Sequence, residues 1–177
     1  MPKYRRVRRR FRKRTKWCSN LIDIGPNSFS LSNENWNFTE VQLITNPQYN
    51  YNLTSNLFTI KNVEVAINFD TDNIGSGKWI ENLQFYIMYV PEGMTVTQDY
   101  AIKHPEYVMA MKYYGEPGVD AGSAGLAITP SYRIKTRLSR KLNTGDKIIL
   151  FIRGANVGTQ TFNVTYGGLC RFWTKAN

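Results

Sequence analysis

The sequence predicts an all-β protein, an antiparallel β-sandwich of the jelly-roll kind, preceded by a disordered basic N-terminal arm. Three observations carry this. Apolar and polar residues alternate with a period of two in several separate segments, as half-buried strands require. Turns rich in Gly, Asn and Pro divide those segments at unequal spacing, and no amphipathic helix of three turns interrupts them. All of the excess positive charge lies in residues 1–16, ahead of the first strand.

The arm reads MPKYRRVRRRFRKRTK. Lys3, Arg5, Arg6, Arg8, Arg9, Arg10, Arg12, Lys13, Arg14 and Lys16 are ten cations without one acid. The chain has 23 Lys and Arg against 13 Asp and Glu, so residues 17–177 balance at 13 of each. Ten like charges repel one another and bury little, so the free arm is expected to be disordered. A phosphate backbone is the partner that rewards ordering it, because each neutralised phosphate releases condensed counterions. Arg outnumbers Lys by seven to three, and a guanidinium meets phosphate oxygens with paired hydrogen bonds. Tyr4, Phe11 and Trp17 stand among or beside these charges, placed to stack on unpaired bases. A membrane-surface arm is the competing reading, but Val7 and Phe11 alone make no apolar stripe. The same cations also suit a nuclear-import signal.

Residues 17–177 are expected to form one domain with a well-buried core. Leu21 to Ile24 and Ser28 to Ser32 read as strands around a turn at Gly25–Pro26–Asn27. Glu40 to Thr45 reads as another, closed by Asn46–Pro47, and 47–56 as loop. In Asn62 to Asp70, Val63, Val65, Ile67 and Phe69 alternate with Glu64, Ala66 and Asn68, giving one dry and one wet face. Asp72 to Lys78 reads as a hairpin turn. Trp79 to Val90 sets Leu83, Phe85, Ile87 and Tyr89 against Gln84, Tyr86 and Met88. Val96 to His104 is expected to make one or two helical turns before Pro105. Glu106 to Tyr114 is nearly all apolar and reads as a strand covered on both faces. A Gly-rich loop follows at 116–129.

Ser131 to Leu142 alternates again, with Tyr132, Ile134, Thr136 and Leu138 inward. Arg133, Lys135 and Arg137 then form an outward basic row, read as a second phosphate track, as intersubunit ion-pair partners, or as a solvated face. Lys147 to Arg153 (KIILFIR) reads as a central strand. Thr161 to Trp173 is the last, with Gly167–Gly168 marking a bulge or a close backbone approach. An up-and-down barrel would space its strands more evenly, which leaves the jelly roll.

No catalytic constellation emerges. His104 stands alone in Lys103–His104–Pro105–Glu106, with no nucleophile or carboxylate at a spacing that favours a triad. One His and two distant Cys give no zinc spacing. Asp70, Asp72, Gly75 and Glu81 fit four positions of a calcium loop. Ile74 stands where an oxygen ligand belongs, however, and both flanks read as strand, so neither metal nor cofactor is expected. Cys18 and Cys170, on strands the fold can make neighbours, read as buried free thiols, with a bond between them as the alternative. No secretory leader or membrane span is expected, because no apolar run follows the charged start.

The arm MPKYRRVRRRFRKRTK, the segment His104–Pro105–Glu106–Tyr107–Val108–Met109–Ala110, and the strands VEVAINF and LQFYIMYVPEGM together resemble the capsid proteins of small circovirus-like viruses with circular single-stranded DNA that encode a replication initiator. That resemblance implies a single viral jelly roll at 17–177 and about sixty copies in a closed icosahedral T=1 shell. It also implies inward arms at 1–16 on viral single-stranded DNA, with RNA as the other cargo. The partners implied are copies of the chain itself, the host nuclear import machinery and a host-cell receptor. The implied locations are the virion and, during assembly, the host nucleus. Basic-armed jelly rolls also coat small RNA and satellite viruses. A monomeric nuclear or ribosomal nucleic-acid-binding module is the remaining reading.

Overall fold

The computed structural model describes residues 17–31, 35–46, 58–70, 80–114, 131–156 and 161–176. Among them are nine strands: β1 (Cys18–Leu31), β2 (Asn37–Thr45), β3 (Phe58–Asp70), β4 (Ile80–Val90), β5 (Val108–Tyr114), β6 (Ser131–Lys135), β7 (Ser139–Leu142), β8 (Lys147–Asn156) and β9 (Phe162–Ala176). One short helix, α1 (Tyr100–Lys103), and a 3-10 turn at Pro105–Tyr107 lie between β4 and β5.

The strands form two antiparallel sheets. The first runs β1-β9-β3-β6, with β7 also on β3, and the second runs β2-β8-β4-β5. Because β6 and β7 pair successive stretches of β3, they act as one interrupted strand. Counted so, the first strand pairs with the last, the second with the second-last, the third with the third-last, and the fourth with the fifth. That nesting is a long antiparallel hairpin rolled onto itself, which is the jelly roll. The fold is an all-β, antiparallel jelly-roll sandwich, as the sequence predicts.

The two-residue period supplies the core. Val63, Val65, Ile67 and Phe69 of the first sheet face Leu83, Phe85, Ile87, Ile148, Leu150 and Ile152 of the second, all buried. Each such side chain contributes about 1.5–3 kcal/mol by leaving water. Phe69, Phe85 and Tyr132 meet with centroids 5.2–5.3 Å apart and lock the two sheets together. The expected central strand is β8, between β2 and β4. Its other face, Ile149 and Phe151, packs with Tyr86, Met88, Val90, Tyr100 and Ala101 under the segment 91–107. The expected helical turns are α1 in that segment.

Four expectations need correction. Gly25–Pro26–Asn27 is not a turn between strands: β1 runs through it, with a register shift against β9 between Ile24 and Asn27. β3 and β4 lie in different sheets and so form no hairpin, while residues 71–79 between them lie outside the described residues. β5 is an edge strand and is not covered on both faces: Met111 is 62% and Tyr113 52% exposed. Leu138 is exposed, not inward, because Thr136 Oγ1 accepts the Leu138 N–H (3.1 Å) and breaks the alternation between β6 and β7. The opposite strand is irregular too, with Asn62 at φ 52°.

Candidate nucleic-acid interface

The ten arm cations, with Tyr4 and Phe11, lie outside the described residues, as do residues 71–79 of the partial calcium loop Asp70 to Glu81 and the Gly-rich loop at 116–129. The point where the arm joins the body is described. Trp17 is half-buried just before β1, with Lys61 Nζ 4.0 Å and Lys175 Nζ 5.5 Å from its ring centroid. Lys61 belongs to β3 and Lys175 to β9. Alternation sends both outward, since Ile60 and Phe172 are in the core. Trp17 therefore sits on the outer face of the first sheet.

Register lays out that face in rows across the strands. Ser19, Trp173, Lys61 and Ser139 form one row, and Leu21, Arg171, Glu64 and Lys135 the next. Asp23, Leu169, Ala66 and Arg133 form a third. The Arg171 guanidinium lies 4.6 Å from the Trp173 ring centroid. Arg133 is exposed and ion-paired to the Glu64 carboxylate. Lys135 and Arg137 are exposed, though Arg137 stands past the end of β6 in the break before β7. The predicted outward row is thus present, with one member already engaged by an acid. A shallow groove between Leu21, Leu169, Arg133 and Arg171 crosses the face.

Sequence reasoning missed Lys61, Arg171, Trp173 and Lys175 as members of this face. Arg171, Trp173 and Lys175 recur at every second residue, the signal that could have found them. The expected last strand ended at Trp173, however, and the expected strand from Asn62 to Asp70 began one residue after Lys61.

On the other sheet, Arg153 is matched within the fold. Arg153 is 5% exposed, its guanidinium 4.1 Å from the Trp36 ring centroid. Its Nη1 donates to the Gln98 carbonyl (3.3 Å) and lies 4.0 Å from Asp99. His104 is part of the packing over this sheet. Its ring stands 4.9 Å from Tyr100 and 5.5 Å from Tyr107, and its Nδ1 is 3.3 Å from Glu106. The Glu106 backbone N–H and His104 hold that carboxyl below its ordinary range. Among the described residues no group of three or more His, Cys, Asp or Glu is placed to hold a metal. No helix there is long and apolar enough to cross a membrane.

Both cysteines are free, and they do lie on neighbouring strands. Cys170 is buried as expected, and burial pushes its thiol up to about 12. Cys18 is exposed, contrary to expectation. Cys18 pairs with Thr174 and Cys170 with Ile22, four residues apart in register, or about 13 Å. A disulfide cannot span that distance.

No protein-family model and no curated protein sequence matches the chain. Among solved structures, that of infectious bursal disease virus, Gx strain, is similar at 8% identity and a TM-score of 0.32, covering 91% of this chain and 41% of the other. VP1 of the Trichodysplasia spinulosa-associated polyomavirus, solved with sialylated glycooligomers, is similar at 11% identity and a TM-score of 0.24, covering 91% and 95%. The chain thus spans well under half of the first structure's length. The fold assignment rests on strand pairing, not on these likenesses.

Proposed function

We propose that the chain is a capsid subunit: its jelly-roll body closes a small icosahedral shell, and its arm gathers single-stranded DNA inside. The observation that carries the reading is charge segregation. Ten cations without an acid are joined, at Trp17, to a body whose 13 cations and 13 acids balance to zero net charge. A neutral body lets copies pack without mutual repulsion, while the arm condenses polyanion by counterion release, without reading sequence. About sixty arms would bring about 600 positive charges to the enclosed polymer.

Self-assembly has support in the body. Met111 and Tyr113 on the edge strand β5 lie in register with Tyr86 and Gln84, and Phe38 stands opposite Arg153 on the same face. All three are exposed, at the two edges of this sheet, and apolar exposure of this kind is what subunit contacts cover. Resemblance to circovirus-like coats supports DNA as cargo, nuclear import through the arm, residence in the virion, and a receptor-binding outer surface. The role is structural, with no catalytic step.

Replacing the ten arm cations by Gln in the full chain tests this. Particles of unchanged size whose absorbance ratio falls to that of protein alone are expected. Particles that still carry nucleic acid would overturn the packaging role, and a chain that binds nucleic acid only as a 20.5 kDa monomer would favour the nuclear or ribosomal module.

A further inference from the structure

We infer that the outer face of the first sheet, around Trp17 and Trp173, is a second contact surface for single-stranded nucleic acid, continuous with the arm. The inference rests on the reading of the arm as a polyanion tether and extends it to residues of the folded body. Although residues 17–177 carry no net charge, their charge is not evenly placed. On this face Lys61, Arg171, Lys175, Lys135 and Arg133 stand against only Glu64 and Asp23 among the described residues. Glu64 is the ion-pair partner of Arg133.

Lys61, Lys175 and Arg171 are instead held over indole rings, at 4.0, 5.5 and 4.6 Å from the centroids. A cation over an aromatic face keeps its full charge for a phosphate, and the contact fixes where that charge sits. Indoles and a guanidinium also offer flat surfaces for unpaired bases, the pairing of stacking platform and basic track that binds single strands without sequence preference. Position supplies the remaining argument. The arm is covalently joined to Trp17, so polymer gathered by residues 1–16 is delivered to this face. On the outer face of the opposite sheet, by contrast, Arg153 is buried and partnered.

The test uses the full chain and a fluorescent oligothymidylate, titrated across salt. Replacing Lys61, Arg171 and Lys175 together by Ala is expected to make the slope of log K against log salt shallower by about 2, at about 0.7 per lost phosphate contact. Lys61→Gln with Lys175→Gln, which keeps long polar side chains and guards against misfolding, should remove about 1.4. Trp173→Phe should reduce the quenching of tryptophan fluorescence by the oligonucleotide while leaving the slope unchanged. An unaltered slope in both cation variants overturns the inference and leaves the arm reading intact. An unaltered slope with smaller particles by sedimentation also overturns it, and assigns the face to contacts between copies. If neutralising the arm itself leaves binding untouched, the failure lies with the proposed function instead.

Discussion

Asp146 is 3% exposed, and both oxygens of its carboxylate accept hydrogen bonds. Oδ2 accepts from the Tyr89 hydroxyl (2.7 Å) and the Asn143 N–H (2.8 Å), and Oδ1 accepts from the Glu92 N–H (3.1 Å). One side chain thus ties the turn before β8 to the end of β4. Gly145 beside it has φ +84°, and the Glu92 side chain occupies the space a Cβ would need. Asp146→Ala leaves three donors without their acceptor and should cost about 2–4 kcal/mol, read as a lower urea midpoint. A midpoint shift worth less than about 0.5 kcal/mol would show that water replaces the carboxylate at little cost. The turn at Asn143–Thr144–Gly145–Asp146 was legible from composition. Its carboxylate's reach to Tyr89 and Glu92, more than fifty residues away, was not, because the strand order that brings them together cannot be read from spacing.

β9 is the central strand of the first sheet, between β1 and β3, and its two glycines differ in consequence. A Cβ at Gly168 would be driven into the Ala66 carbonyl oxygen of β3, whereas at Gly167 it would make ordinary contact with Ile24 O at 3.4 Å. Gly168→Ala should therefore destabilise by about 1–3 kcal/mol or more, and Gly167→Ala by much less, in parallel denaturation curves. Equal effects would contradict the close approach. The sequence marked this pair as a bulge or an approach. The approach is at Gly168, while the bulge belongs to the facing strand at Gly25–Pro26. A second element, the segment 91–107, is anchored by buried Tyr100. Desolvation first, then Tyr107, Glu106 and Glu40, push its phenol up to about 12. Burial and then the Asp146 hydrogen bond raise Tyr89 further in the same direction. The folded state thus prefers the neutral phenols. Their stabilising contribution is whole below about pH 10, where unfolded tyrosine ionises, and is lost as pH rises through about 12. Tyrosinate absorbance should consequently show a late fraction that ionises together with unfolding. A single transition near pH 10 with the fold intact would contradict this. The helical turns of this segment were legible from the Pro105 boundary. Its role as the cover of β8 was not, because two apolar faces on KIILFIR say that something covers each, not what.

At the scale of the molecule, the sequence shows a charged arm on a neutral β body, and the two-residue period of VEVAINF and LQFYIMYV shows which side chains build the core. What stayed hidden is how the body's charge divides between its faces, since Lys61, Arg171 and Lys135 become neighbours only through the pairing of β3, β6 and β9. In the proposed function, copies of the body form a closed wall around polymer held by the arms. Charge-detection mass spectrometry of nuclease-treated, purified particles tests it most directly. From a 20.5 kDa chain, a protein shell of about 1.2 MDa is expected, with additional mass that is released as single-stranded polynucleotide on opening. A stable monomer under the same conditions, or a shell with no polynucleotide inside, would contradict it.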